Sequence, residues 1–257
     1  MATKFEEIAV VVSQKTIATD IYDLTIQTKD IAAHAKAGQF ISLYCNDGTK
    51  LLPRPISLCG IDREAGTLRM VYRVTGENTG TEEFSKMKAG DTIRVLGPLG
   101  NGFELGDKKA FLIGGGIGIP PMLQLAKELK CEKTAVLGYR DELFLLEDFN
   151  EVCTTYVATE NGCAGTKGNV IDAIKANALE ADVIYACGPT PMLRALKAYA
   201  EEKGIECYVS MEERMACGIG ACLACVCKTK DKDHHTNVNN KRIYKEGPVF
   251  NAKEVEL

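Results

Sequence analysis

The pattern of short apolar segments changes once along the chain, and this change constrains the fold more than any other feature. Before the Gly/Pro cluster at residues 97–102, most apolar segments are short and alternate with polar residues, as β-strands do. Six strands are predicted, at residues 8–12, 22–26, 39–44, 55–58, 68–74 and 92–96. This spacing predicts a small antiparallel β-barrel, interrupted by one helix at residues 81–87.

After residue 102, strand-length segments alternate with helix-length segments. Strands are predicted at residues 110–113, 133–139, 154–158, 183–186 and 207–210, and helices at residues 120–129, 143–152, 170–178 and 192–203. This alternation predicts an α/β domain with a parallel sheet covered on both faces. A third segment, rich in cysteine at its start, follows residue 212. We therefore expect an α+β multi-domain protein with domains at residues 1–101, 102–212 and 213–257.

Composition and charge argue against several classes of function. The 257 residues carry a net charge of -4, which gives no electrostatic reason to expect nucleic acid or an anionic membrane as a partner. Glu6 and Glu7 stand where a secretion signal would need its apolar stretch. The most apolar segment, residues 110–126, is cut by glycines and prolines and is too short to span a bilayer. We therefore expect a cytoplasmic protein.

Four of the 11 cysteines lie close together, between residues 217 and 227. An odd number of cysteines does not suggest a disulfide framework in a reducing compartment, and the scattered ones are typical of small buried hydrophobes. Cys217, Cys222 and Cys225 have the C-x4-C-x2-C spacing of plant-type [2Fe–2S] sites, which need a fourth ligand further on. Zinc sites usually show paired C-x2-C units instead. The spacing predicts an iron–sulfur site, with unliganded loop thiols as the alternative.

Two loops containing glycine and proline each join a predicted strand to a predicted helix. The first contains Gly114, Gly115, Gly116 and Gly118, and the second contains Cys187, Gly188 and Pro189. Such loops let the backbone approach a ligand and present a helix N-terminus to a phosphate. The Rossmann fingerprint fails, because its third glycine position holds Ile119. Together the two loops predict a dinucleotide site that is not of the Rossmann type. Two alternatives stay open: tight turns that bind no ligand, and a core role for Cys187.

A third motif, Arg54-Pro55-Ile56-Ser57, begins a predicted barrel strand. An Arg side chain suits a pyrophosphate, and a Ser hydroxyl can bond a ring nitrogen. The order of Arg-Pro-Ile-Ser, then Gly-Gly-Gly-Ile-Gly, then Cys-Gly-Pro resembles the ferredoxin–NADP reductase superfamily over residues 1–210. The resemblance implies an FAD-binding barrel beside a nicotinamide-binding domain, with the flavin ring at their junction.

The same resemblance implies roles for individual residues. Arg54 would bind the FAD phosphates, and Ser57 would lie at the N5 edge of the flavin. The rest of the FAD would be held by Val71, Tyr72, Arg73, Gly80 and Thr81. Cys187 would lie near nicotinamide C4 and flavin N5, and the cofactors, not a catalytic side chain, would carry the chemistry. Asp141 and Glu142 follow a strand where a ribose-binding acid could lie, and they mildly favour NAD over NADP.

Residues 211–222, together with Gly247-Pro248-Val249-Phe250, resemble the electron-transfer subunits of type B dihydroorotate dehydrogenases. This resemblance covers almost the whole chain. It implies FAD, a [2Fe–2S] cluster and NAD as cofactors, and an FMN-containing catalytic subunit as partner in a heterotetramer. Electrons from dihydroorotate would pass from that FMN through the cluster and FAD to NAD⁺, in pyrimidine (UMP) biosynthesis.

The chain departs from this family at position 244. The family's fourth cysteine lies three residues before Gly-Pro-Val-Phe, and here that residue is Tyr244. Tyr244 could ligate through its phenolate, Cys227 or one of His234 and His235 could replace it, or the cluster could be labile or absent. Family members carry a cysteine at position 227 in addition to the fourth ligand, which favours a packing role for Cys227. We expect an impaired or unusually ligated cluster.

Two other functions stay open from the sequence. A related NAD(P)H–flavin subunit of another partner, such as a bifurcating transhydrogenase or a sulfhydrogenase, would share the layout. The string from Met215 to Cys222 argues against it. A flavin-binding scaffold with a vestigial cluster loop is the other possibility, and the intact motifs at residues 54–57 and 114–118 argue against that.

Overall fold

The computed structural model describes residues 3–230, 232 and 237–257. The N-terminal part of the chain forms the closed antiparallel barrel that the sequence predicts. The barrel strands, with two short helices between them, are β1 (Phe5–Ala18), β2 (Ile21–Gln27), α1 (Asp30–His34), β3 (Phe40–Leu43), β4 (Arg54–Asp62), β5 (Thr67–Arg73), α2 (Gly80–Ser85) and β6 (Thr92–Leu99). Their order around the barrel is β1-β2-β5-β4-β3-β6.

Alternation along the strands fills the barrel. Leu24, Ile26, Leu58, Leu68 and Met70 are fully buried and belong to one apolar cluster inside it. Neighbouring residues on the same strands point outward, because successive side chains in a strand alternate between faces. The predicted six strands are confirmed, but β1 is much longer than residues 8–12. Its second half is polar, and its register shifts twice against β2, so apolar alternation alone does not reveal it.

The middle of the chain forms a second sheet. Its elements are β7 (Ala110–Gly115), α3 (Ile119–Glu128), β8 (Lys133–Tyr139), α4 (Leu146–Asn150), β9 (Thr154–Thr159), β10 (Thr166–Lys167), α5 (Val170–Ala176), β11 (Val183–Cys187), α6 (Thr190–Lys203) and β12 (Glu206–Ser210). These strands run parallel, as predicted. Along β7, Ala110 and Leu112 pack on the side of α3, whereas Phe111 and Ile113 pack on the side of α5 and α6. Helices therefore cover both faces.

The C-terminal segment is built into this sheet. It contains β13 (Val226–Lys228), β14 (Asn240–Arg242), α7 (Ile243–Glu246) and β15 (Val249–Asn251). Strand β15 pairs antiparallel with β12, so the sheet order becomes β10-β9-β8-β7-β11-β12-β15. Phe250 on β15 is buried in the same apolar cluster as Phe40 and Leu99 of the barrel. The three parts of the chain consequently meet in one apolar cluster.

Helices α1 and α4 also differ from the sequence prediction. The helix predicted at residues 143–152 is only the short α4, because Leu145 has a left-handed backbone with φ of 60° and Phe144 packs into the core instead. The sequence does not predict α1, which has only five residues. Within the described part of the chain, no helix is both long enough and apolar enough to cross a membrane.

Candidate cofactor-binding sites

The two predicted nucleotide loops are in direct contact. They follow β7 and β11, which are neighbouring parallel strands with Gly114 opposite Cys187. A Cβ atom on Gly118 would lie 2.3 Å from the carbonyl oxygen of Cys187. Only glycine therefore allows the two backbones to approach this closely. The structure brings together at one sheet edge the loops that lie about 70 residues apart in the sequence.

Both loops lead into the N-terminus of a helix. Helix α3 begins directly after Gly118, and α6 begins directly after Pro189. The carboxyl ends of β7 and β11 and the N–H groups of two helix ends thus face one region, which suits an anionic ligand such as a pyrophosphate. At Gly116 the backbone has φ of +53°, and nothing lies within 4 Å of the position that a Cβ atom would take. The loop is therefore open to a ligand on this side.

Cys187 at the end of β11 carries a neutral thiol. The pKa of Cys187 is raised to about 12, mainly because the thiol is removed from water. The carboxylate of Glu212 raises this pKa further, whereas a hydrogen bond with Ser210 lowers it. Glu212 itself is exposed, yet the protein around it and the neighbouring Glu213 raise the pKa of its carboxyl group. The thiol of Cys187 is therefore uncharged at neutral pH, which excludes a role as a thiolate nucleophile there.

At one end of the barrel, Arg54 and Gly80 are in contact. A Cβ atom on Gly80 would lie 2.9 Å from Arg54 Nε. The hydroxyl of Thr79 caps α2 by accepting a hydrogen bond from the N–H of Glu82, and the buried Thr81 lies with its hydroxyl 3.1 Å from that of Thr79. The structure therefore assembles an Arg side chain, two hydroxyls and a close-approach glycine, which together suit a phosphate.

Strand β4 directs its motif residues to two different places. Ile56 is buried inside the barrel, whereas Ser57 and Cys59 lie on the outward face. Cys59 is fully buried in the core that the barrel shares with α3. Because Ser57 points to the same side as Cys59, its hydroxyl faces the junction between barrel and sheet, where the resemblance places the flavin ring. Pro55 is half-buried on that same face.

Strand β5 places Tyr72 differently from its neighbours. Its ring is buried in the barrel and stacks on Tyr22 with a centroid distance of 5.9 Å, and its hydroxyl accepts a hydrogen bond from Gln14 Nε2 at 2.7 Å. Burial raises its pKa. Any contact of Tyr72 with a cofactor would therefore involve its backbone. Val71 packs at the junction and Arg73 is exposed.

The cysteine loop presents backbone N–H groups to a sulfur atom. The N–H of Cys222 donates to Cys217 Sγ at 3.3 Å. Burial would raise the pKa of Cys217, but hydrogen bonds from the backbone of Cys222, Ile219 and Ala221 lower it to about 6. An N–H-lined thiolate of this kind fits an iron–sulfur cluster. Gly218 and Gly220 have φ of +65° and +84°, which gives the loop two sharp bends.

The loop does not by itself supply a complete ligand set. Among residues 3–230, 232 and 237–257, no three His, Cys, Asp or Glu side chains are arranged to hold a metal ion. Cys225 and Cys227 are both buried, and Cys227 on β13 donates from Sγ to the carbonyl oxygen of Lys241 at 3.4 Å. Burial raises the pKa of Cys227. Its environment is that of a packing residue. His234 and His235 lie outside the described residues.

Tyr244 is occupied by contacts of its own. It is 4% exposed, and its ring packs edge-on against Phe40 with a centroid distance of 5.1 Å. Its hydroxyl donates to the carbonyl oxygen of Glu213 and accepts from the N–H of Glu213 at 3.0 Å. Burial raises the pKa of this phenol. In this structure Tyr244 is a neutral side chain. It links the backbone at Glu213, before the cysteine loop, to Phe40 of the barrel.

The acids expected near a ribose have other partners in this structure. Glu142 accepts hydrogen bonds from the N–H and the hydroxyl of Thr19, at 2.7 and 2.8 Å, which lower the pKa of its carboxyl group. Asp141 accepts a hydrogen bond from the N–H of Glu142 at 2.8 Å. Glu142 therefore joins the sheet domain to the barrel. The sequence analysis missed this contact, since nothing local distinguishes such an acid from one on a solvated surface.

Comparisons with known proteins identify the barrel and the C-terminal segment as members of known domain families. The family model described as "Oxidoreductase FAD-binding domain" matches residues 9–103, and the model "Iron-sulfur cluster binding domain of dihydroorotate dehydrogenase B" matches residues 212–256. A solved structure described as an NADH-dependent reduced ferredoxin-NADP oxidoreductase superimposes with a TM-score of 0.86 at 32% identity, covering 97% of this chain and 90% of the other. The Amycolatopsis cytochrome P450 reductase GcoB, at 22% identity and a TM-score of 0.66, shares the fold over 79% of this chain and 68% of its own. Fold and sites define a flavin- and iron–sulfur-linked oxidoreductase subunit.

Relatives across the full length define the family more closely. The dihydroorotate dehydrogenase B (NAD⁺) electron transfer subunit of Listeria monocytogenes is 46% identical over 96% of this chain and 97% of its own. The corresponding subunit of Geobacillus kaustophilus is 43% identical, again over 96% of this chain and 97% of its own. The chain belongs to the family of electron transfer subunits of dihydroorotate dehydrogenase B.

Proposed function

We propose that this chain is the electron-transfer subunit of an NAD-dependent dihydroorotate dehydrogenase. It carries electrons from the FMN of a separate catalytic subunit, through a [2Fe–2S] cluster and FAD, to NAD⁺ in pyrimidine biosynthesis in the cytoplasm. The observation that carries this proposal is the 41–46% identity to such subunits over nearly the full length, together with the contact between the two nucleotide loops beside the barrel.

The chain's own residues bind and orient the cofactors. Arg54, Gly80 and Thr81 hold the FAD phosphates, and Ser57 meets the flavin edge at the junction. The loops at residues 114–118 and 187–189 receive the dinucleotide. When bound, FAD exchanges a hydride with the nicotinamide and single electrons with the cluster. The neutral thiol of Cys187 adds no charge beside the reacting atoms.

Each of the three predicted domains has one cofactor in this proposal: FAD at residues 1–101, NAD at residues 102–212 and the cluster at residues 213–257. Cys217, Cys222 and Cys225 are the proposed thiolate ligands, and the lowered pKa of Cys217 supports this for one of them. The hydrogen bonds of Tyr244 to Glu213 favour a structural role over ligation. The fourth ligand is therefore the feature of this subunit that most needs measurement.

Metal analysis tests the proposal directly. Anaerobically purified chain is assayed for iron and acid-labile sulfide per FAD, and the reduced protein is examined by EPR. About two irons and two sulfides per flavin, with a reduced [2Fe–2S] signal, is the expected result. A full complement of flavin without iron would overturn the relay and leave a flavin–nicotinamide reductase with a vestigial cluster loop.

A second candidate function is favoured by one observation. The reduced ferredoxin-NADP oxidoreductase structure matches 97% of this chain with a TM-score of 0.86. An NAD(P)H–flavin subunit of another complex, of the transhydrogenase or sulfhydrogenase type, would have this layout. Co-purification separates the two, because only the proposed function gives dihydroorotate-dependent NADH formation with an FMN-containing partner. A neighbouring gene for an orotate-binding subunit would point the same way.

A further inference from the structure

A charged contact joins the barrel to the sheet domain at a place where no cofactor role has been assigned. It consists of Arg69 on β5, Asp23 on β2 and Asp148 on α4, and is called the Arg69 bridge below. Arg69 Nε lies 3.1 Å from both carboxylate oxygens of Asp23, and Nη2 lies 2.8 Å from Oδ2. Nη1 and Nη2 of the same guanidinium donate to Asp148. One planar group therefore bonds carboxylates from both units of the protein.

The Arg69 bridge is partly removed from water. The side chains of Arg69, Asp23 and Asp148 are 26%, 13% and 30% exposed. Burial alone would lower the pKa of Arg69, but its hydrogen bonds to the two carboxylates raise it above its ordinary value. A guanidinium has a fixed fork of donors, so pairing with two carboxylates sets an orientation as well as a distance. The contact is therefore suited to fix one unit against the other.

Asp148 belongs to a segment that touches the barrel twice. Residues 141–150 run from the end of β8 through α4, and Glu142 in the same segment bonds Thr19 in the turn between β1 and β2. The segment starts at the carboxyl end of β8, directly beside β7 and its glycine loop. Because ligands bind at the carboxyl ends of parallel strands, this segment borders the dinucleotide site.

Among the described residues, other polar contacts between barrel and sheet domain involve the middle and the last residue of α3. Glu128 near the end of α3 pairs with Arg63, and Gln124 accepts a hydrogen bond from the N–H of Ile61. The glycine loop precedes the first residue of α3, so these contacts lie further along the helix, away from its first turn and the ligand loops. Among the described residues, the Arg69 bridge is the ionic contact that joins residues 141–150 to the barrel.

We propose that Arg69 is a positioning residue for hydride transfer, which keeps the nicotinamide-binding loops at working distance from the flavin on the barrel. This rests on the proposed function, because it requires both nucleotides to bind. Hydride transfer needs the reacting atoms about 3–3.5 Å apart, and a displacement of about 1 Å can slow such a reaction roughly 100-fold. A contact that sets the orientation of the two units therefore acts on the rate of transfer, not on the affinity for either nucleotide.

Anaerobic stopped-flow reduction of the FAD-loaded chain by NADH tests this inference. For Asp148→Asn and Arg69→Ala we expect the limiting rate of flavin reduction to fall roughly 10- to 100-fold. The NADH concentration for half-saturation and the FAD content should change by less than about twofold, because neither residue contacts the proposed phosphate sites. Arg69→Lys should recover part of the rate, since an ammonium can pair with one carboxylate but not orient two.

Two further variants make the test specific. Lys109→Ala removes an exposed ion pair with Glu132 that lies wholly within the sheet domain, and should leave the limiting rate unchanged. The double variant Arg69→Ala/Asp148→Asn should be no slower than Arg69→Ala alone, because the two residues share one interaction. Asp148→Asn leaves the pair of Arg69 with Asp23 in place, so it keeps the test valid if Arg69→Ala fails to fold.

Folded Asp148→Asn protein that reduces its flavin at the wild-type rate would overturn the inference. So would a loss of rate matched by an equal loss of FAD, because that is the result of general destabilisation. If NADH fails to reduce the flavin of the wild-type chain, the proposed function is wrong and the variants are not needed to show it.

Discussion

At the scale of single residues, Tyr244 stands at the position where the family resemblance implies a fourth cysteine. Tyr244→Phe removes the hydroxyl that bonds both backbone groups of Glu213. We expect the free energy of unfolding to fall by about 1 kcal/mol, because Glu213 is exposed and its backbone groups can bond water instead. Iron content and the EPR spectrum should not change. Thermal unfolding and metal analysis on the same preparation check both expectations.

A partly buried tyrosine outside the cysteine loop serves as the control for this substitution. Tyr199→Phe on α6 should leave the iron content unchanged and alter stability little. Loss of iron in Tyr244→Phe, with a changed spectrum but normal folding, would show that the phenol is a ligand.

The raised pKa of Cys187 leads to a second prediction for a single residue. Because the pKa is about 12, the thiolate fraction is small at neutral pH and grows about tenfold with each unit of pH. The rate of alkylation by iodoacetamide should therefore still be rising at pH 10, with no plateau near the ordinary cysteine value of about 8.5. Peptide mass spectrometry can follow Cys187 separately, with the exposed Cys163 as an accessible thiol in the same sample. A plateau below pH 9 would contradict the neutral thiol.

At the scale of elements, the contact between the two nucleotide loops depends on Gly118. Gly118→Ala would place a methyl group 2.3 Å from the carbonyl oxygen of Cys187, so one of the loops must move. Overpacking of this kind costs about 1–3 kcal/mol, and we expect NADH to bind roughly 10- to 100-fold more weakly. Titration of flavin reduction against NADH measures the affinity, and the FAD content should not change.

Gly116→Ala provides a matched control in the same loop. Its added methyl group meets nothing within 4 Å, although its φ of +53° carries a backbone cost of about 1–2 kcal/mol. Equal losses of NADH affinity in the two variants would mean that contact between the loops does not determine the affinity, because Gly116→Ala leaves that contact intact.

The elements also show where local sequence patterns are insufficient. Alternating apolar residues identify all six barrel strands, and strand–helix alternation identifies β7, β8, β9, β11 and β12. They do not show that β15 completes the sheet beside β12, since three residues carry too little periodicity and the pairing joins segments about 40 residues apart. They also miss the polar half of β1, which is a strand because β2 pairs with it.

At the scale of the whole molecule, the proposed function divides into two separable activities. Removal of iron by a chelator should leave NADH reduction of the flavin within about twofold of the untreated chain, because the nucleotide loops and the barrel do not include the cysteine loop. Dihydroorotate-dependent NADH formation with the catalytic subunit should fall to background. Both assays are run on one preparation before and after chelation, with reconstituted protein as the control. Full turnover after iron loss would contradict the relay.

The sequence by itself determined the local chemistry of this protein: the barrel, the parallel sheet, the two nucleotide loops and the cysteine spacing all follow from motifs and periodicities within short segments. The tertiary structure decided which distant groups meet. It turned the ring of Tyr72 into the barrel, paired Glu142 with Thr19, and bonded Tyr244 to Glu213. These outcomes depend on packing between segments far apart in the chain, and a charged or aromatic residue carries no local sign of its partner. The Arg69 bridge has the same origin, because its three residues lie on elements that only the folded chain brings together.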